Sequence, residues 1–209
     1  MNKLPLLWKP GKTGKTVIAA LAVSILFMSS SVFAGPHDNK VRALLESDAA
    51  SWLSDPLVIE AIKRQNAAHA NLSQRDIDRL DKQWRSEKKS KDRPTIKSVL
   101  NNDLSMFLKK IASNSNDLYS EIFIMDNKGL NVGQSNITSD YWQGDEAKWQ
   151  KTYLAGTNAL HIAKIKYDDS ARHFQIQASI PIVDPVTKAN IGAVTLGLAM
   201  RQLALRQVK

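Results

Sequence analysis

The spacing of apolar residues changes near Asn116, and this change limits the fold more than any other feature of the chain. Before it, apolar positions return every three or four residues; after it, they return every second residue, so helices precede strands. Leu57, Val58, Ala61, Ile62 and Ala68 follow the helical period behind Asp55-Pro56, where proline suits a first turn. Ser73, three residues before Asp76, is an N-cap for a helix with Ile77, Leu80 and Trp84 on one side and Arg75, Asp78, Lys82 and Arg85 on the other. Glu87–Arg93 is dense in charge. Pro94 then opens a helix expected over Thr95–Ala112, with Ile96, Val99, Leu100, Leu104, Phe107, Leu108 and Ile111 on one stripe.

Beyond Asn116 the strand pattern takes over. Leu118–Met125 ends in Asp126-Asn127-Lys128-Gly129, a turn in which Gly129 takes positive φ and Asp126 bonds back to the backbone, and Leu130–Gln134 returns beside it. A polar excursion follows, with a short helix expected around Trp149. Ala159–Tyr167, Arg172–Val183 and Ile191–Met200 are the remaining strands, joined by turns at Asp168–Ala171 and Asp184–Asn190. Gly192 and Gly197 weaken the last strand's propensity and are expected to mark close packing of a helix across the sheet. The pattern predicts an α+β fold in which amino-terminal helices at 38–113 pack on a five-stranded antiparallel sheet at 117–200, with the Thr95–Ala112 helix as the cover.

Residues 1–34 have the parts of a secretory leader: Lys3, Lys9, Lys12 and Lys15 without an acid, the apolar run Val17–Met28, and small residues before a cut after Ala34. The run is short for a membrane span, so a cleaved leader is the first reading and a retained anchor at 17–28 the second. Either makes residues 35–209 extracytoplasmic, with a periplasmic address, and one domain is the expectation for that length. There is no cysteine, so the domain is held by packing rather than disulfides. Of the chain's +9 charge, +5 remains after the leader, in alternating basic and acidic residues rather than the one-sided patch nucleic acid requires.

The excursion concentrates Tyr141, Trp142, Asp145, Glu146 and Trp149 in nine residues, and rings with a few polar groups are what a concave binding site uses. Tyr153 is a further wall candidate and Tyr119 a core residue by preference. Arg172 offers a fork for a ligand carboxylate or a solvated edge charge. Asp126, Asp168, Asp169 and Asp184 read first as turn residues. His37, His69, His161 and His173 share no metal-ligand spacing, although His161 and His173 fall in neighbouring strands. No catalytic motif is present: there is no nucleophile elbow, phosphate-binding loop or cysteine nucleophile, and no cofactor is expected.

EIFIMDNKGLNVGQS at 121–135, SDYWQGDEAKWQKTY at 139–153, QASIPIVDP at 177–185 and ANIGAVTLGL at 189–198 together resemble the extracytoplasmic Cache sensor domain, or PDC fold, of PAS-like architecture. The resemblance covers about Leu57–Gln202. It implies a single Cache unit whose excursion walls a pocket for a small polar metabolite, an amino acid, amine or short carboxylate. It also implies that Tyr141 and Trp142 line the pocket and that Asp184 holds a ligand ammonium group. A Cache domain in a receptor is followed by a membrane helix and an output module, so a stand-alone binding domain is implied. Such a domain would report to a separate membrane kinase, cyclase or chemoreceptor, with homodimerisation through the amino-terminal helices as a further expectation. The alternative is an interaction module that keeps the fold without a ligand.

Overall fold

Side-chain caps mark three of the helix starts in this computed structural model, which describes residue 35, residues 37–168 and residues 172–206. The leader, and residues 169–171 of the expected Asp168–Ala171 turn, lie outside the described residues. Helix α1 (Asp38–Leu44) runs through a π-helical turn (Leu45–Ala49) into α2 (Ala50–Leu53). Asp55 accepts from Leu57 N to cap α3 (Pro56–Ala68), and Ser73 and Asp76 form a reciprocal capping box at the start of α4 (Gln74–Glu87).

The helix expected over Thr95–Ala112 is two helices, α5 (Pro94–Leu100) and α6 (Asp103–Ser113). Asn102 divides them. Its backbone is extended at ψ 162°, and its side chain accepts from Ser105 N as the cap of α6. Asparagine competes for backbone groups in this way, which favours a cap over a helix interior.

The sheet comprises β1 (Tyr119–Met125), β2 (Asn131–Gln134), β3 (His161–Ile162), β4 (Lys166–Asp168), β5 (His173–Val183) and β6 (Asn190–Ala199), in the order β2-β1-β6-β5-β3 with β4 also on β5. Every pairing is antiparallel. The single strand expected at 159–167 is therefore two short edge strands. A last helix, α8 (Met200–Leu205), follows β6 and had no counterpart in the sequence reading. Among the described residues no helix is long and apolar enough to cross a membrane.

One sheet face carries Ile122, Ile124, Ile176, Ala178, Val194, Leu196 and Leu198 into the main core, where they meet residues of α1, α2, α3 and α6. The cover is thus broader than the one helix expected. At Gly192 an added Cβ would stand 2.3 Å from Met125 O of the neighbouring strand and 3.3 Å from an Ile62 methyl of α3, so the β1 backbone excludes a side chain first and the helix only second. Gly197 is different. Its Cβ would meet Glu121, Ser120 and Gln175 on the opposite face, so close helix packing does not explain it. A second cluster joins Ile77, Trp84, Ile96, Val99, Leu130 and Tyr141 between α4, α5 and the start of the excursion.

Candidate functional site

The sheet face away from the main core is built by alternation. In β5, Gln175, Gln177 and Ser179 alternate with Ile176, Ala178 and Ile180, so one strand presents an apolar and a polar side. The register then sets a row across the sheet: Gln134 opposite Phe123, Phe123 opposite Thr195, Thr195 opposite Ser179, and Ser179 opposite His161. Glu121, Gly197 and Gln177 form the neighbouring row. Ser179 and Thr195 are fully buried and bond to each other at 2.9 Å. Glu121 accepts from Gln177 Nε2 at 2.8 Å and from Gln175 Nε2 at 3.4 Å. The absence of a side chain at Gly197 leaves the space that Glu121, Ser120 and Gln175 occupy.

The excursion roofs one end of this face. Its short helix α7 (Ala147–Gln150) and the 3-10 turn Tyr153–Ala155 bring Trp149 and Tyr153 against Phe123, Met125 and Ala193. The two rings stack at 5.1 Å, and Trp149 Nε1 donates to Asp126 O at 3.1 Å. Lys148 Nζ lies 5.3 Å from the Phe123 ring centroid, 2.9 Å from Glu146 and 3.2 Å from Gln143 Oε1. Burial holds the Tyr153 hydroxyl above the usual phenol range, helped by the Asp126 charge. At His161, burial and then the charges of Lys151 and Lys148 hold the imidazole below its ordinary value, so the neutral ring dominates near pH 7. A neutral imidazole can donate from one nitrogen and accept at the other. Glu121, Gln177, His161, Lys148 and Tyr153 therefore share a half-buried face with Phe123 and Trp149.

The other candidates are elsewhere or already engaged. Tyr141 is buried in the second cluster, stacked on Trp84 with centroids 5.3 Å apart, and burial raises its phenol strongly. Trp142 donates Nε1 to Lys128 O at 2.8 Å, and its ring occupies the space above Gly144. Both backbone N–H groups are held by Asp81 Oδ1, at 2.9 and 3.1 Å. Asp145 is exposed. Asp184 is buried in the β5–β6 turn: Oδ1 accepts from Val186 and Thr187 N–H, Oδ2 meets Lys63 at 3.2 Å, and the Val186 bond leads the causes that keep its pKa low. Arg172 precedes β5 at the Tyr119–Ala199 end, away from the Met125–Ala193 end under the aromatic roof. His161 opposes Ser179 whereas His173 opposes Asp168, so the two histidines do not meet.

Asp126 and Gly129 form the β1–β2 turn. Asp126 Oδ1 accepts from Lys128 N and Leu130 N, and Gly129 holds φ +84° with its Cα side against Gly144. Asp168 ends β4. The reading of single residues missed Asp81, Glu121, Gln177 and Lys148. The alternation in β5 was the available signal for Gln177, while Asp81 shows locally only an ion pair with Arg85, its Tyr141 and Trp142 N–H partners being 60 and 61 residues away.

No family model matches the sequence, and no curated protein matches it. Among solved structures the chain is similar to the V. cholerae histidine kinase DctB sensor domain, at 12% identity and TM-score 0.43, over 80% of this chain and 53% of that one. It is also similar to the sensory domain of the Campylobacter jejuni chemoreceptor Tlp3 with isoleucine bound, at 12% identity and TM-score 0.37, over 80% and 67% of the two chains. A third is the Bacillus subtilis YkuI protein, with an EAL domain, at 13% identity and TM-score 0.36, over 69% and 38%. The chain thus spans about half the length of the DctB domain.

Proposed function

We propose that this chain is an extracytoplasmic small-molecule-binding domain of the Cache type, with its ligand on the polar sheet face beneath the Trp149–Tyr153 roof. The supporting observation is the convergence of opposite charges and amphipathic rings on one half-buried surface. Glu121 lies two residues along β1 from Phe123, on the same face and about 7 Å away by strand geometry. Lys148 is over the Phe123 ring. A ligand ammonium group meets Glu121, and a ligand carboxylate meets Lys148 and the neutral His161 ring. An amino acid satisfies both ends, whereas a simple amine or carboxylate satisfies one. Binding must displace the present Gln177–Glu121 and Glu146–Lys148 contacts, and that exchange is the signal carried to a membrane partner.

The test is a thermal-shift screen of the purified protein against amino acids, amines and short organic acids, since a ligand selective for the folded state raises apparent stability by mass action. The expected result is a concentration-dependent rise that Glu121→Gln and Lys148→Met abolish. No rise with any compound, from protein shown to be folded, overturns the reading. A second reading has its own support: Glu121, Ser120 and Gln175 already fill the space above Gly197, as in an interaction module whose site is closed by its own side chains. A flat screen leaves that one standing.

A further inference from the structure

Among the described residues, four other than glycine hold a left-handed backbone: Asn116 at φ 54°, Asp117 at 59°, Arg172 at 55° and Lys188 at 60°. Asn and Asp adopt this conformation at little cost, whereas a longer side chain pays about 1–2 kcal/mol. Asp117 and Arg172 line one cleft of about 510 Å³, together with Ser120, His173, Arg201 and Gln202. The cleft is at the Tyr119–Ala199 end of the sheet, beside α8 and at the other end from the aromatic roof, with Ser120 shared between it and the group around Glu121.

Arg172 and Arg201 are exposed, and no ion pair or hydrogen bond engages either guanidinium among the described residues. Among the described residues no acid pairs with either guanidinium. Asp117 is the one acid among the described residues that line the cleft. Asp48, in the adjoining cavity, accepts from the Tyr119 hydroxyl at 2.6 Å and lies 3.9 Å from Arg206. Two unpaired guanidinium groups in one concavity make an anion site. A phosphate offers both forks three or more oxygens and up to two negative charges, whereas a carboxylate offers two oxygens and one charge.

The surroundings indicate the source of that phosphate. Phe174 follows His173 directly and is 59% exposed; its cross-strand partner Tyr167 is 51% exposed, and the rings meet edge to face at 5.2 Å. Neither ring lines the cleft, and Phe174 faces the other side of the strand from His173, but Phe174 is two residues from Arg172 on the same end of the β4–β5 ladder, and bare rings flanking unpaired arginines suit the headgroup level of a membrane. Helix α1 also reaches α8, since Lys40 donates Nζ to Ala204 O at 2.9 Å. We propose that this cleft binds the phosphate of an anionic lipid headgroup.

All the described residues belong to one compact unit with its own core, so residues 35–209 serve for the test. Flotation is measured with vesicles of phosphatidylcholine alone and of equal parts phosphatidylcholine and phosphatidylglycerol, and glycerol 3-phosphate is titrated separately. The proposal expects binding to the anionic vesicles that weakens with salt, by about fivefold for Arg172→Gln and again for Arg201→Gln. Phe174→Ser with Tyr167→Ser should weaken vesicle binding and leave glycerol 3-phosphate binding unchanged. Arg201 is exposed on a short helix, so its variant reports binding without disturbing the core. Glycerol 3-phosphate binding without vesicle binding overturns the lipid assignment. Vesicle binding that both arginine variants retain, or binding of neither probe, overturns the site.

Discussion

The Asp126 carboxylate meets His69 Nδ1 at 2.8 Å and is itself fully buried, which ties the end of α3 to the β1–β2 turn. The carboxylate has no proton to give, so the imidazole donates from Nδ1. Gln65 Nε2 donates to the same oxygen at 2.9 Å, while the other oxygen holds the turn. Asp126 O accepts from Trp149, so one residue joins helix, turn and excursion. Asp126→Ala strands four donors and should cost about 3–5 kcal/mol in urea unfolding. His69→Ala should cost about 1–3 kcal/mol, because Gln65 still engages that oxygen.

Tyr141 is expected to act through the fold. Tyr141→Ala empties a buried site against Trp84 and should lower stability by about 3–5 kcal/mol, measured by chemical denaturation. Tyr141→Phe keeps the stacking and should change stability by under about 1 kcal/mol. Equal losses for both variants would point to the hydroxyl rather than the ring.

Gly129→Ala combines a positive φ with a Cβ 2.6 Å from the Gly144 Cα. A loss of about 2–4 kcal/mol is expected, readable as a fall in melting temperature. Gly156 has open space around it but holds φ 105° and ψ 172°, a region essentially confined to glycine, so Gly156→Ala should cost about 1–3 kcal/mol through the backbone alone.

Glu87 gives a pH signature. Burial pushes its carboxyl up, but hydrogen bonds from Thr95 Oγ1, Ile96 N and Gln83 Nε2 outweigh that and hold the pKa below the ordinary value. A carboxyl depressed in the folded state contributes stability above its unfolded pKa and loses it as pH falls through the folded one. Stability should therefore drop below about pH 4, and Glu87→Gln should flatten that part of the profile while lowering stability by about 1–3 kcal/mol at pH 7.

Much of the fold was legible because the informative interactions are local. Pro56, Ser73 and Pro94 act on backbone groups within one turn, and the Asp126–Gly129 turn is closed by its own side chain and glycine. The division at Asn102 was also readable, since an Asn followed by Asp103 is a helix start, but the continuous apolar stripe from Ile96 to Ile111 masked it.

The sequence by itself determined the order of helices and strands and the two-sided character of β5, because periodicity and capping depend on neighbours a few residues apart. Only the tertiary structure decided that Gly197 makes room for Glu121 rather than for a helix, that Tyr141 pairs with Trp84, and that Arg172 shares a cleft with Arg201. These outcomes depend on strand register and on which elements meet across the core. A one-residue change of register moves every side chain to the other face, and no local pattern carries that information.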